Sequence, residues 1–150
     1  MKALFRTLVL GLMVAIAPTV MAADGDAKGG QYKLLGDWQV HYIAFPSTFI
    51  QPAIAKAYGL TRDEKKAIIN ISVLKNREGT PAQHVQISGT AKNLIGNGPT
   101  LEFKEVVEGD AIYYLAQMDF YNEEIYRFDI TIRQDNQEQT LKFQQKFYAQ

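Results

Sequence analysis

The chain has no cysteine, two histidines and one tryptophan, and 16 Lys and Arg exactly offset by 16 Asp and Glu over 150 residues. The missing cysteine excludes disulfides, thiolate-held zinc or iron–sulfur clusters, a thiol nucleophile and the lipid-accepting residue of a bacterial lipoprotein. Balanced charge argues against a nucleic-acid partner, because phosphate binding needs clustered excess Lys and Arg. His41 and His84 form no HxH or HxxxH pair, so nothing local enforces metal-ligand geometry and no bound metal or other cofactor is expected. What remains is ordinary: 47% hydrophobic and 21% charged residues suit one globular domain.

The amino terminus reads as an export signal. Lys2 and Arg6 precede the apolar run Leu8 to Ala17, Pro18 breaks it, and Val20-Met21-Ala22 offers small residues at a cleavage site. The run is too short for a transmembrane helix, which needs about 20 apolar residues. Cleavage after Ala22 is expected, delivering the mature chain to the periplasm with residues 23–30 (ADGDAKGG) as a polar, glycine-rich leader and residues 31–150 as one domain.

Apolar residues then recur with period two, the strand period. Trp38/Val40/Tyr42/Ala44, Ala67/Ile69/Ile71/Val73, Val85/Ile87, Leu101/Phe103, Ile112/Tyr114/Ala116/Met118, Tyr126/Phe128/Ile130/Ile132 and Leu141/Phe143 mark seven strands. Turn residues separate them at Asn76 to Gly79, Gly96 to Pro99, Glu108 to Asp110, Tyr121 to Glu124 and Asp135 to Gln137. The pattern predicts an all-β, seven-stranded antiparallel sandwich of immunoglobulin-like type. An outer-membrane barrel fits less well, because the strand count is odd and the strands are short.

One segment breaks the period. Between the first and second strands, Phe45 to Lys65 is too long for a hairpin loop. Pro52 to Tyr58 (PAIAKAY) predicts a short helix, with proline at its start, Gly59 at its end, and Ile50, Ile54 and Tyr58 along one stripe. The stripe is expected to pack on an edge or end of the sandwich. Thr61-Arg62-Asp63-Glu64 has capping-box spacing, which predicts a second helical turn.

Catalytic patterns are sparse. No serine lies in a GxSxG context, and Ser47 near His41 is the single pairing of nucleophile and base worth weighing. Gly96-Asn97-Gly98 leads into Pro99 and a strand, so it is no phosphate cradle. Lys56, Arg62, Lys65 and Lys66 cluster at the insertion, where a solvated face is the ordinary explanation.

The stretch Gly36-Asp37-Trp38-Gln39-Val40-His41-Tyr42-Ile43-Ala44-Phe45, followed by Ser47-Thr48-Phe49-Ile50, Pro52, Ala55, Tyr58-Gly59-Leu60 and Arg62, resembles the signature of a bacterial exported family catalogued as domain of unknown function 4426. The resemblance spans Tyr32 to the carboxyl terminus and is carried by HYxAF…YG[IL]xR. It implies export and a periplasmic immunoglobulin-like sandwich, and it transfers no catalytic residue.

Together these readings predict a non-enzymatic envelope module that binds another protein or a peptide through the insertion and the adjoining strand end. His41 and Arg62 are the expected polar contacts, with Tyr42, Phe45, Phe49 and Tyr58 as aromatic anchors. A small hydrolase or metal-dependent enzyme using His41, and a structural accessory subunit of an envelope complex, are the alternatives.

Overall fold

Period-two alternation becomes two antiparallel sheets packed face to face. The computed structural model describes residues 31–149; the expected signal peptide and leader lie outside the described residues. Nine strands form in chain order: β1 (Tyr32–Leu35), β2 (Trp38–Pro46), β3 (Lys66–Lys75), β4 (Gln86–Lys92), β5 (Thr100–Leu101), β6 (Lys104–Glu108), β7 (Ala111–Asp119), β8 (Ile125–Gln134) and β9 (Gln137–Lys146). One sheet runs β1-β2-β3-β7-β6 and the other β5-β4-β8-β9.

The core lies between the sheets. Trp38, Val40, Ile69, Ile71, Phe128, Ile130, Ile132 and Leu141 are essentially inaccessible there. Rings tie the layers together: Phe143 stacks on Phe128 at 4.5 Å between centroids and lies 4.6 Å from Tyr42 across the interface. Each of these eight buried residues holds a position that the period-two reading assigned to a buried face.

Among the described residues the strand count is nine rather than the expected seven, for two physical reasons. Tyr32–Leu35 is short and mostly exposed, so it carries no alternating signal, yet it pairs fully with Leu35↔Trp38 to Tyr32↔His41. The expected fourth strand splits because the chain changes sheets at Glu102 and Phe103. Leu101 is opposite Gly89 in one sheet, and Lys104 is opposite Leu115 in the other. A similar crossing precedes β4. Pro81 to Gln83 first runs beside the end of β3, where Gln83 N–H donates to Val73 O at 2.8 Å, so the expected third strand begins at Gln86 and Val85 stays in the crossing.

The helix α1 (Pro52–Tyr58) forms as expected, with Pro52 in its first turn. Gly59 ends it in the left-handed region (φ 68°), while Leu60 N–H reaches back to Ala55 O at 2.8 Å. Its position corrects the expectation. The stripe lies on the outer face of the five-stranded sheet, not on an edge or end. Ile54 and Tyr58 pack against Leu115, and Ala55 and Ile50 pack with Phe45 and Ile68. The expected second helical turn is absent. Asp63 instead accepts from Lys65 N–H at 2.8 Å in a simple turn leading into β3.

Candidate functional site

The six residues expected to bind a partner fall into separate environments. Tyr42 points inward and is buried, with the Lys33 ammonium 5.7 Å from its ring centre. Phe45 is buried beneath α1. Tyr58 is buried beside Leu115, its hydroxyl 3.4 Å from Glu108 Oε1, and burial pushes its pKa up. These three aromatics spend their surface inside the fold.

Arg62 ties the insertion together. Its Nε donates to Ile50 O at 2.8 Å, and a terminal nitrogen donates to Thr48 O at 3.2 Å. Ser47 works beside it: the hydroxyl donates to Asp63 O and accepts from Asp63 N–H, both at 2.9 Å, in a fully buried position. That hydroxyl is consumed by backbone and has no histidine partner. Phe49 is the one aromatic of the set that is exposed.

His41 lies on the outer face of the five-stranded sheet, where α1 does not reach. It is half-buried, its ring centre 5.1 Å from that of Tyr32 and tilted 31° to it, with Nε2 3.4 Å from Gln39 Oε1. Desolvation holds its pKa below the ordinary histidine value. Around it the face is open and mixed: Tyr32 and Leu34 are exposed, and Ser72 lies directly opposite on β3.

Among the described residues, β1 is a free edge of the sheet beside this open half-face. Tyr42 N–H donates to Gln31 O at 3.1 Å, which fixes the antiparallel alternation. Lys33 and Leu35 therefore turn their backbone groups to β2. Tyr32 and Leu34 turn theirs outward, with their side chains on the same face as His41. Composition did not single these two residues out; the adjacent apolar pair in YKLL, next to the glycine turn at Gly36, was the available signal.

His84 belongs to another cluster, at the first crossing between sheets. Its Nδ1 lies 3.2 Å from Glu105 Oε2, the same oxygen that accepts from the Tyr114 hydroxyl at 2.8 Å. Tyr114 in turn accepts from Val85 N–H at 2.8 Å. The Tyr114 hydrogen bond, followed by His84, lowers the pKa of Glu105, while burial pushes Tyr114 up to about 12. The cluster fastens the crossing segment to β7.

With this geometry in place, comparison with known proteins decides the family. A profile described as Domain of unknown function (DUF4426) matches residues 32–150. The chain belongs to the DUF4426 family. A crystal structure of a DUF4426 family protein from Pseudomonas aeruginosa PAO1 superposes with a TM-score of 0.70 at 34% identity, covering 81% of this chain and 97% of that one. A copper-bound variant of FetP from uropathogenic Escherichia coli shares the fold at a TM-score of 0.56 and 13% identity, covering 81% and 96%. As-isolated FetP from the same source, expressed in the periplasm, gives 0.56 at 12% identity, covering 81% and 95%. No curated protein matches this DUF4426 chain. Among its described residues no helix is long and apolar enough to cross a membrane.

Proposed function

We propose that this DUF4426 protein is an exported, non-enzymatic binding module of the cell envelope, with an immunoglobulin-like sandwich that takes an extended segment of another envelope protein onto β1. The observation that carries this reading is the free edge itself. The outward N–H and C=O of Tyr32 and Leu34 can extend the ladder, while an added peptide would place alternate side chains beside Tyr32, Leu34 and His41.

The opposite edge of the same sheet is less suited. β6 carries Lys104, Glu105 and Glu108 within five residues, and edge charge blocks strand addition. β1 has one charge, and the Lys33 ammonium is drawn inward to Lys142 O, away from the incoming strand. The copper in the FetP variant is that protein's own. Here His84 and Glu105 make a two-donor pair, and no group of three His, Asp or Glu residues suited to a metal ion occurs among the described residues.

Photo-cross-linking from position 34 in intact envelopes, with the captured segment mapped by mass spectrometry, tests the reading. One discrete, extended segment of an envelope protein should be captured, and Leu34→Pro should abolish function by removing an outward N–H. Equal capture from Val107 on β6, or none from position 34, would overturn it.

A further inference from the structure

The loop end of the sandwich presents a second surface. Of the eight large apolar side chains exposed among the described residues, Phe49, Leu94, Ile95, Tyr121 and Tyr148 all sit at the end where β2, β4, β7 and β9 finish. Ile95 is 80% exposed, the most of any of them. Scattered apolar residues need no explanation, whereas a cluster at one end of a folded protein does.

The cluster is held in place. Asn93 organises the loop between β4 and β5: its N–H donates to Asn97 O at 2.7 Å, and its Oδ1 accepts from Ile95 N–H at 3.2 Å and Asn97 N–H at 2.9 Å. Its amide nitrogen then donates to Glu124 Oε2 at 3.0 Å, fastening this loop to the turn that carries Tyr121. Gly98 fixes the return, because a Cβ there would lie 1.8 Å from Ala91 O. The tail bearing Tyr148 is tied to the same turn by Glu123 N–H to Phe147 O at 2.8 Å and Ala149 N–H to Asn122 Oδ1 at 2.8 Å. With the loop's polar groups satisfied internally, Leu94 and Ile95 are left facing outward.

The chemistry is layered along the chain. Asn93 to Thr100 (NLIGNGPT) carries no charge and places two adjacent aliphatic side chains on the connection between β4 and β5. Tyr121 and Tyr148 each lie two residues beyond a strand end, at Asp119 and Lys146. The strand ends hold exposed cations: Lys92 is opposite Arg127 across β4 and β8, and Lys146 at the end of β9 is opposite Ile125 on β8. Glu123 and Glu124 share the turn and offset part of that charge, so the apolar tip carries most of the attraction.

We propose that this end docks onto an anionic bilayer surface. Leu94 and Ile95 enter the boundary between headgroups and acyl chains, Tyr121 and Tyr148 occupy the interfacial level, and Lys92, Arg127 and Lys146 meet the phosphates. Aliphatic tip, amphipathic ring and cation follow the order of polarity across a membrane interface. A protein interface would instead centre its aromatic residues and desolvate them behind a polar rim. The surface is distinct from β1, so the proposal stands independently of the peptide reading.

The test is co-sedimentation of the mature protein with phosphatidylcholine vesicles, with and without phosphatidylglycerol. Binding to the mixed vesicles should weaken with added salt, and Ile95→Asp should reduce it about tenfold or more. Arg127→Gln should weaken binding to mixed vesicles and leave phosphatidylcholine unaffected. Urea melts of both variants should match the parent, because both side chains are exposed. Failure of the parent to bind mixed vesicles, unchanged binding by Ile95→Asp, or photo-cross-links from position 95 to protein rather than lipid would overturn the proposal.

Discussion

His41 pairs with Tyr32 on one side and Ser72 on the other, and burial makes its protonated form unfavourable in the folded chain. The unfolded chain takes up that proton as pH falls through the ordinary value of 6.5, while the folded chain resists. Its contribution to stability is therefore complete above that value, declines as pH drops below it, and levels off once the folded histidine also titrates. Urea midpoints measured from neutral to mildly acidic pH should fall, and His41→Gln should flatten that part of the profile. Glu105 acts at lower pH. Its depressed pKa gives stability that is present above the usual 4.5 and lost as pH falls through the folded value, so its loss should persist in the His41 variant. A parent profile with no decline until the carboxylates titrate would remove the desolvation argument for His41.

At the scale of elements, the insertion is held by burial and by Arg62. Ile54→Ala should destabilise the domain by about 2–4 kcal/mol through lost contact and a cavity under α1. Arg62→Ala should cost about 1–3 kcal/mol, because it releases the carbonyls of Ile50 and Thr48. Phe49→Ala should stay within about 0.5 kcal/mol. Urea melts of the three variants check this ordering; an Arg62→Ala variant as stable as the parent would show that the insertion holds its shape without the guanidinium. The helix was legible because Pro52 and Gly59 punctuate it locally. Its seat was hidden because it depends on sheet residues of the opposite parity. The signal lay in apolar neighbours such as Ala44-Phe45, Ala67-Ile68-Ile69 and Tyr114-Leu115-Ala116, which mark strand segments buried on both faces. The burial of two expected anchors was hidden for the same reason: Phe45 and Tyr58 look available in sequence and are covered once α1 lies on the sheet.

Across the whole molecule, residues whose two faces differ strongly were readable, and residues whose role depends on a change of sheet were not. Tyr126, Phe128, Ile130 and Ile132 declare a half-buried strand by themselves. Leu101 and Phe103 keep the same parity through a crossing that no local pattern records. Leu94 and Ile95 carry no period at all, so only the folded loop shows that they face outward.

β9 would otherwise be a ten-residue open edge. Phe147 N–H donates to Glu124 O at 3.1 Å, and by antiparallel alternation the Lys142 carbonyl then points away from β8. The Lys33 ammonium occupies that carbonyl, while Gln137 Nε2 donates to Asp37 Oδ1 at 2.6 Å just beyond β1. The first strand thus acts as a guard against self-assembly as well as an edge of its own sheet. A chain beginning at Gly36 should keep most of its core and lose this guard, forming concentration-dependent oligomers in analytical ultracentrifugation where the chain beginning at Ala23 stays monodisperse. Proteolytic trimming past Leu35 would then turn a folded sandwich into a seed for sheet-to-sheet aggregation.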